Sequence, residues 1–98
     1  MTHILVRYRV RPEFSDENER LIRAVFEELE RKQIAGVSYT VTRLEDDSFV
    51  HLAGGDTRNV FSSLPSFLAF QEGLAARCVE EPTFYDATVI GHHGNHVT

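Results

Sequence analysis

From His3 to Arg11 the order HILVRYRVR alternates. Ile4, Val6, Tyr8 and Val10 fall on one side of an extended segment, and His3, Leu5, Arg7, Arg9 and Arg11 on the other. That is the period of a β-strand. Pro12 ends it, because proline cannot donate to a sheet ladder. The stretch FSDENERLIRAVFEELERKQIAG then changes period. Leu21, Ile22, Val25 and Leu29 make one helical stripe with Phe26 at its margin. Ser15 or Asp16 is placed to cap the helix, acidic residues crowd the first turn, and Lys32 and Gly36 supply the closing signals.

VSYTVTRL alternates again, with Val37, Tyr39 and Val41 against Ser38, Thr40 and Thr42. The acidic turn Glu45-Asp46-Asp47-Ser48 leads into FVHLA, so the two runs predict a hairpin. Gly54-Gly55-Asp56 reads as a loop. A second helix is expected after Asn59, restarted by Pro65 at a first-turn position, with Phe67, Phe70, Leu74 and Cys78 as its buried stripe. Pro82 ends it, FYDATVIG is a fourth strand, and HHGNHVT is a flexible tail. Strand, helix, strand, strand, helix, strand is the ferredoxin-like α+β order, βαββαβ, with both helices covering one face of a four-stranded antiparallel sheet. The expected strand order is 4-1-3-2. The domain is expected over 1–91, with the tail over 92–98.

The helix-covered face should be the more apolar one: Ile4, Val6, Tyr8, Val10, Val37, Tyr39, Val41, Val50, Leu52, Ala87 and Val89. The other face then carries Leu5, Arg7, Arg9, Thr40, Thr42, Leu44, Phe49, His51, Asp86, Thr88 and Ile90. That mixture leaves large apolar residues wet, which points to an interface. The simplest partner is a second copy, giving a homodimer with Arg7 or Arg9 meeting Asp86 or its symmetry mate. The competing reading has the arginines steadying an anionic ligand.

Composition narrows the classes. The 98 residues suit one domain. No apolar run reaches membrane-spanning length, no signal peptide precedes the first strand, and the single cysteine excludes an internal disulfide framework. A cytoplasmic protein without a membrane partner is therefore expected. A net charge of -5 and a pI near 5.4 argue against nucleic acid, which needs a basic surface.

In YRVRPE, FVHLAGGD and SLPSFLAFQEGLAARC the chain resembles the antibiotic biosynthesis monooxygenase-like proteins of the dimeric α/β-barrel superfamily, over roughly Thr2 to Gly91. The resemblance implies two ferredoxin-like protomers closing their sheets into a barrel. It also implies a small-molecule pocket between sheet and helices, lined here by Val6, Tyr8, Tyr39, Phe67 and Phe70, with Phe61 at its mouth. The superfamily includes cofactor-independent oxygenases of phenols and quinols as well as haem-degrading enzymes, dehydratases and isomerases. Haem-degrading relatives carry an asparagine on the first strand and a tryptophan and histidine on the second helix. This chain has Val6 and Phe70 near two of those places and no tryptophan, which speaks against haem.

Cofactor-free oxygenation needs a phenol or enol deprotonated in a dry pocket, with a base and an anion stabiliser. His51 is the candidate base, with Arg7 or Arg9 as stabiliser and no cofactor expected. Tyr8, Tyr39, Phe67 and Phe70 are the candidate ligand-binding residues. The bland alternatives are a His51 bonded within the interface and tyrosines that are ordinary core aromatics, in a non-catalytic ligand-binding or structural dimer. His92, His93 and His96 lack carboxylate or cysteine partners, so no metal site is assigned. Cys78 reads as inert core, and Gly54-Gly55 lacks the spacing of a phosphate loop.

Overall fold

The computed structural model describes residues 2–94. Strands β1 (Thr2–Val10), β2 (Val37–Arg43), β3 (Ser48–Gly55) and β4 (Cys78–Thr88) form one antiparallel sheet in the order β2-β3-β1-β4. That is the expected order, with β1 and β3 central. Helix α1 (Ser15–Arg31) and the short helices α2 (Thr57–Ser62), α3 (Pro65–Glu72) and α4 (Leu74–Arg77) cover one face. No helix among the described residues is long and apolar enough to cross a membrane.

Helix α1 buries Ile22 and Val25 as its stripe requires, but the same stripe also carries Asn18 and Glu28 inward. Its ends differ from expectation. A 3-10 turn over Pro12–Phe14 leads directly into the helix, so Ser15 is its first residue, buried, with no side-chain cap. The C-terminus closes at Gln33, not Gly36. Gln33 adopts φ +51°, and the N–H groups of Gln33 and Ile34 donate back to the carbonyls of Glu30 and Leu29, the paired bonds that satisfy a helix end. Pro65 does open α3, as predicted. The Glu28 carboxylate accepts from the Ser66 backbone N–H at 3.0 Å and the Ser66 hydroxyl at 2.5 Å, and pairs with Lys32 at 2.6 Å. This pins the start of α3 to α1.

The hairpin forms as expected, with Asp47 at φ +68° in the turn and Asp46 accepting from the Ser48 N–H. Strand β3 runs further than expected, through Gly54 and Gly55, which are not a loop. Gly54 lies under the imidazole of His3, and Gly55 takes φ +87° against the backbone of Gly36.

Two face assignments are corrected. Val6 faces His51 and Tyr8 faces Phe49 across the β1–β3 ladder, and directly opposed residues share a face. His51 and Phe49 therefore lie under the helices, while Val50 and Leu52 lie outward beside Arg7 and Leu5. Strand β3 is apolar on both sides, so alternation alone cannot choose its inner face. The stacking of Phe49 on Tyr8, at 5.7 Å between rings, accompanies the choice observed. In β4, two register shifts opposite Arg7–Val10 turn Glu80 to the side of Arg9, and Pro82 is absorbed within this edge strand instead of ending a helix. Cys78 accordingly begins β4, and Asp86 lies across from Ile4, on the helix side. It therefore cannot pair with Arg7 or Arg9 within the sheet. Arg9 instead pairs with Glu80 at 2.6 Å, exposed to solvent, a bond contributing about 0–1 kcal/mol.

Candidate functional site

Between the sheet and α2, α3 and α4 lies a cavity of about 480 Å³. Ile4, Val6 and Tyr8 of β1, Tyr39 of β2 and His51 and Ala53 of β3 make its floor. Phe61, Phe67, Phe70 and Leu74 wall it, and Arg58, Gln71 and Phe84 are at its margin. The walls follow from chain periodicity. Alternate residues of the two central strands point to the helices, and the helices return their aromatics to the sheet. The rings interlock: Tyr39 contacts Phe61 edge-on at 4.8 Å and Phe26 in a stack at 4.9 Å, and Phe61 lies 5.0 Å from Phe67. Phe84, on the edge strand beyond the helices' cover, is 69% exposed. The cavity opens there without a covering helix.

The floor is polar at one place. The Tyr8 hydroxyl lies 2.8 Å from His51 Nε2, and the Tyr39 hydroxyl 2.8 Å from His51 Nδ1. Asn18 Nδ2 donates to the Tyr8 hydroxyl at 2.9 Å, Arg77 Nε donates to Asn18 Oδ1 at 3.1 Å, and a second Arg77 nitrogen donates to the Phe70 carbonyl at 2.8 Å. The Arg77 guanidinium also stands 5.5 Å from the centre of the Phe70 ring. Tyr8, Asn18 and His51 are 2%, 0% and 6% exposed, so every member of this chain needs its partner. Burial pushes the Tyr8 and Tyr39 hydroxyls well above the usual phenol range and lowers His51 to about 4. At neutral pH the imidazole is uncharged. Burial also lowers Arg77 and raises the Cys78 thiol.

The structure brings His51, Tyr8, Tyr39, Phe67 and Phe70 to one cavity. It does not bring Arg7 and Arg9 there. They flank Tyr8 in sequence on a strand, so their side chains leave the opposite face, where they border a small polar depression with Glu80, Glu81, Thr83 and Tyr85. Their expected partnership with His51 is corrected on that ground. His51 itself has both ring nitrogens engaged by tyrosine hydroxyls. Asn18 and Arg77 were not foreseen. Asn18 falls in phase with Ile22, Val25 and Leu29, and a polar side chain in that apolar stripe was the available signal. Among the described residues no three His, Cys, Asp or Glu side chains converge as a metal site. His92 and His93 are exposed, and His96 lies outside the described residues.

The chain matches no protein-family model and no curated protein sequence at a significant level. Its fold is that of solved structures named as antibiotic biosynthesis monooxygenases. One crystal structure of that name aligns over 93% of this chain and 100% of its own, with a TM-score of 0.70 at 16% identity. Another, from Bacteroides thetaiotaomicron and provisionally so named, aligns over 98% and 95%, with a TM-score of 0.75 at 19% identity. A conserved protein of Methanosarcina mazei Go1 aligns over 88% and 89%, with a TM-score of 0.69 at 15% identity. Identities this low make the likeness one of fold, and the ferredoxin-like arrangement is the one the sequence pattern predicts.

Proposed function

We propose that this protein is a small-molecule enzyme whose cavity holds an aromatic phenol or quinol and oxidises it with molecular oxygen, without a resident cofactor. The observation that carries the reading is an apolar, aromatic-walled cavity of about 480 Å³ with two tyrosine hydroxyls and a neutral histidine at its floor. Its size suits a drug-sized ligand, and its few convergent polar groups suit orientation of one ligand oxygen. A phenolate supplies its own electrons. Oxidation of a phenol to a quinone places one atom of oxygen on the ring as the second carbonyl and releases the other as water. A quinol, which already carries both ring oxygens, takes that atom at a further ring carbon and gives a hydroxyquinone and water. In this reading Tyr8, Tyr39, Phe67 and Phe70 contact the ligand, and His51 acts through the hydroxyls bonded to it. The names of the fold neighbours support the same class of chemistry.

The protein also works as a homodimer in this reading. Leu5, Val50 and Leu52 lie half-buried on the sheet face without helices, with Tyr85 beside them on β4. A second copy is the economical cover for such a face, and Arg7 and Arg9 then serve that interface instead of the ligand.

The test is oxygen uptake by chelator-treated protein given a panel of naphthols and hydroquinones. Product is read by mass spectrometry, and the oligomer by native mass spectrometry of the same sample. Expected are a dimer and oxygen uptake equal to quinone formed, both quinone and uptake being lost in a folded Phe67→Trp variant. Ligand binding without oxygen uptake would leave a non-catalytic ligand-binding dimer. No thermal stabilisation by any panel member would remove the cavity reading, and a monomer would remove the interface.

A further inference from the structure

We propose that Tyr39 donates a hydrogen bond to an acceptor oxygen of the bound molecule, a carbonyl or a phenolate, and that a one-way relay from Arg77 through Asn18, Tyr8 and His51 aims it. The inference rests on the cavity reading above and adds the polarity of the site. A guanidinium only donates, so the Asn18 atom facing Arg77 at 3.1 Å is its oxygen. The Asn18 amide nitrogen therefore faces Tyr8 and donates to it at 2.9 Å.

The Tyr8 hydroxyl is thus already an acceptor, and its own proton needs a home in a fully buried place. His51 Nε2 is its remaining hydrogen-bond partner among the described residues, at 2.8 Å. Were Nε2 to carry a proton instead, the Tyr8 proton would be stranded in the core, an arrangement folded proteins avoid. A neutral imidazole accepting at Nε2 carries its proton on Nδ1, which donates to the Tyr39 hydroxyl at 2.8 Å. The Tyr39 hydroxyl oxygen is then occupied as an acceptor, and its proton has no protein acceptor among the described residues. Tyr8, His51 and Tyr39 all line the cavity, and of the three Tyr39 is the one whose proton is left for a bound molecule. Every donor in the relay points towards the ligand, starting from a fixed positive charge. Such a site discriminates in favour of molecules that present an oxygen acceptor over hydrocarbons of the same shape.

Two measurements on the full-length protein test this. Nitrogen-15 NMR of His51 is expected to find Nδ1 protonated and Nε2 bare, and the opposite tautomer would overturn the relay whatever the protein binds. Calorimetric titration with 2-acetylnaphthalene and 2-ethylnaphthalene is expected to favour the ketone by about tenfold. Tyr39→Phe should abolish that preference, the ketone then binding no more tightly than the hydrocarbon. Asn18→Asp supplies a readout that a merely structural role would not move. Its carboxylate still accepts from Arg77 but cannot donate to Tyr8. Tyr8 should then donate to residue 18, His51 should protonate at Nε2, and the Tyr39 proton should turn onto Nδ1. The ketone preference is expected to vanish with Tyr39 intact. A ketone preference that survives Tyr39→Phe would refute the donor assignment and leave the cavity standing. Failure of both compounds to bind would refute the donor role together with the cavity reading, with the tautomer deciding the relay separately.

Discussion

Between about pH 7.5 and pH 5 the unfolded chain takes up a proton on each histidine near its ordinary value of 6.5, yet His51 in the folded protein remains neutral. Its imidazole is buried between two tyrosine hydroxyls, and burial lowers it to about 4. The unfolded state therefore binds more protons across this window, so stability falls as acid is added. The full contribution is present above about pH 6.5 and is lost as the pH falls through 4. A fall from 6.5 to about 4 is worth about 3 kcal/mol when fully expressed, of which about 2 kcal/mol is lost by pH 5. His51→Gln removes the titration and keeps a polar side chain of comparable reach. The variant should be less stable than the parent near pH 7.5, and the gap should close by about 2 kcal/mol near pH 5. Urea unfolding followed by far-ultraviolet circular dichroism suits a chain without tryptophan. Parallel pH profiles for the two proteins would refute the reasoning, as would an NMR titration placing the folded His51 near 6.5.

Two further perturbations probe the frame that holds the cavity. Glu28→Gln should lower stability near neutral pH, because the carboxylate pairs with Lys32 and accepts both Ser66 bonds, contacts that hold its carboxyl at about 2. The contribution is present above the ordinary value of 4.5 and lost as the pH falls through 2, so the urea midpoints of parent and variant should converge over that range. Gly55→Ala should cost at least about 2 kcal/mol, since φ +87° is strained for alanine and its Cβ would run into the Gly36 carbonyl oxygen. Gly36→Ala has the same strain at φ +83° but open space, so about 1 kcal/mol is expected. Equal thermal shifts for the two alanines would contradict the packing at Gly55.

Local order was legible because it is written in neighbouring residues. The alternation from Ile4 to Val10, the α1 stripe, the acidic hairpin turn and Pro65 each act over a few positions, and together they determined the element order and the ferredoxin-like fold. The aromatic half of the cavity followed, since Tyr8, Tyr39, Phe67 and Phe70 fall on faces that this fold turns towards one another. The ladder decided the rest. Phe49–Val50–His51–Leu52 carries bulky side chains on both sides of β3, so only pairing against β1 could turn His51 inward. Pairing with Ile4 put Asp86 on the helix side, and the register shifts opposite Arg7–Val10 gave Arg9 to Glu80. Asn18 and Arg77 meet across 59 positions of chain. A hydrogen bond of that separation leaves no periodic trace in the sequence, because its geometry exists only once α1 and α4 have packed on the same sheet.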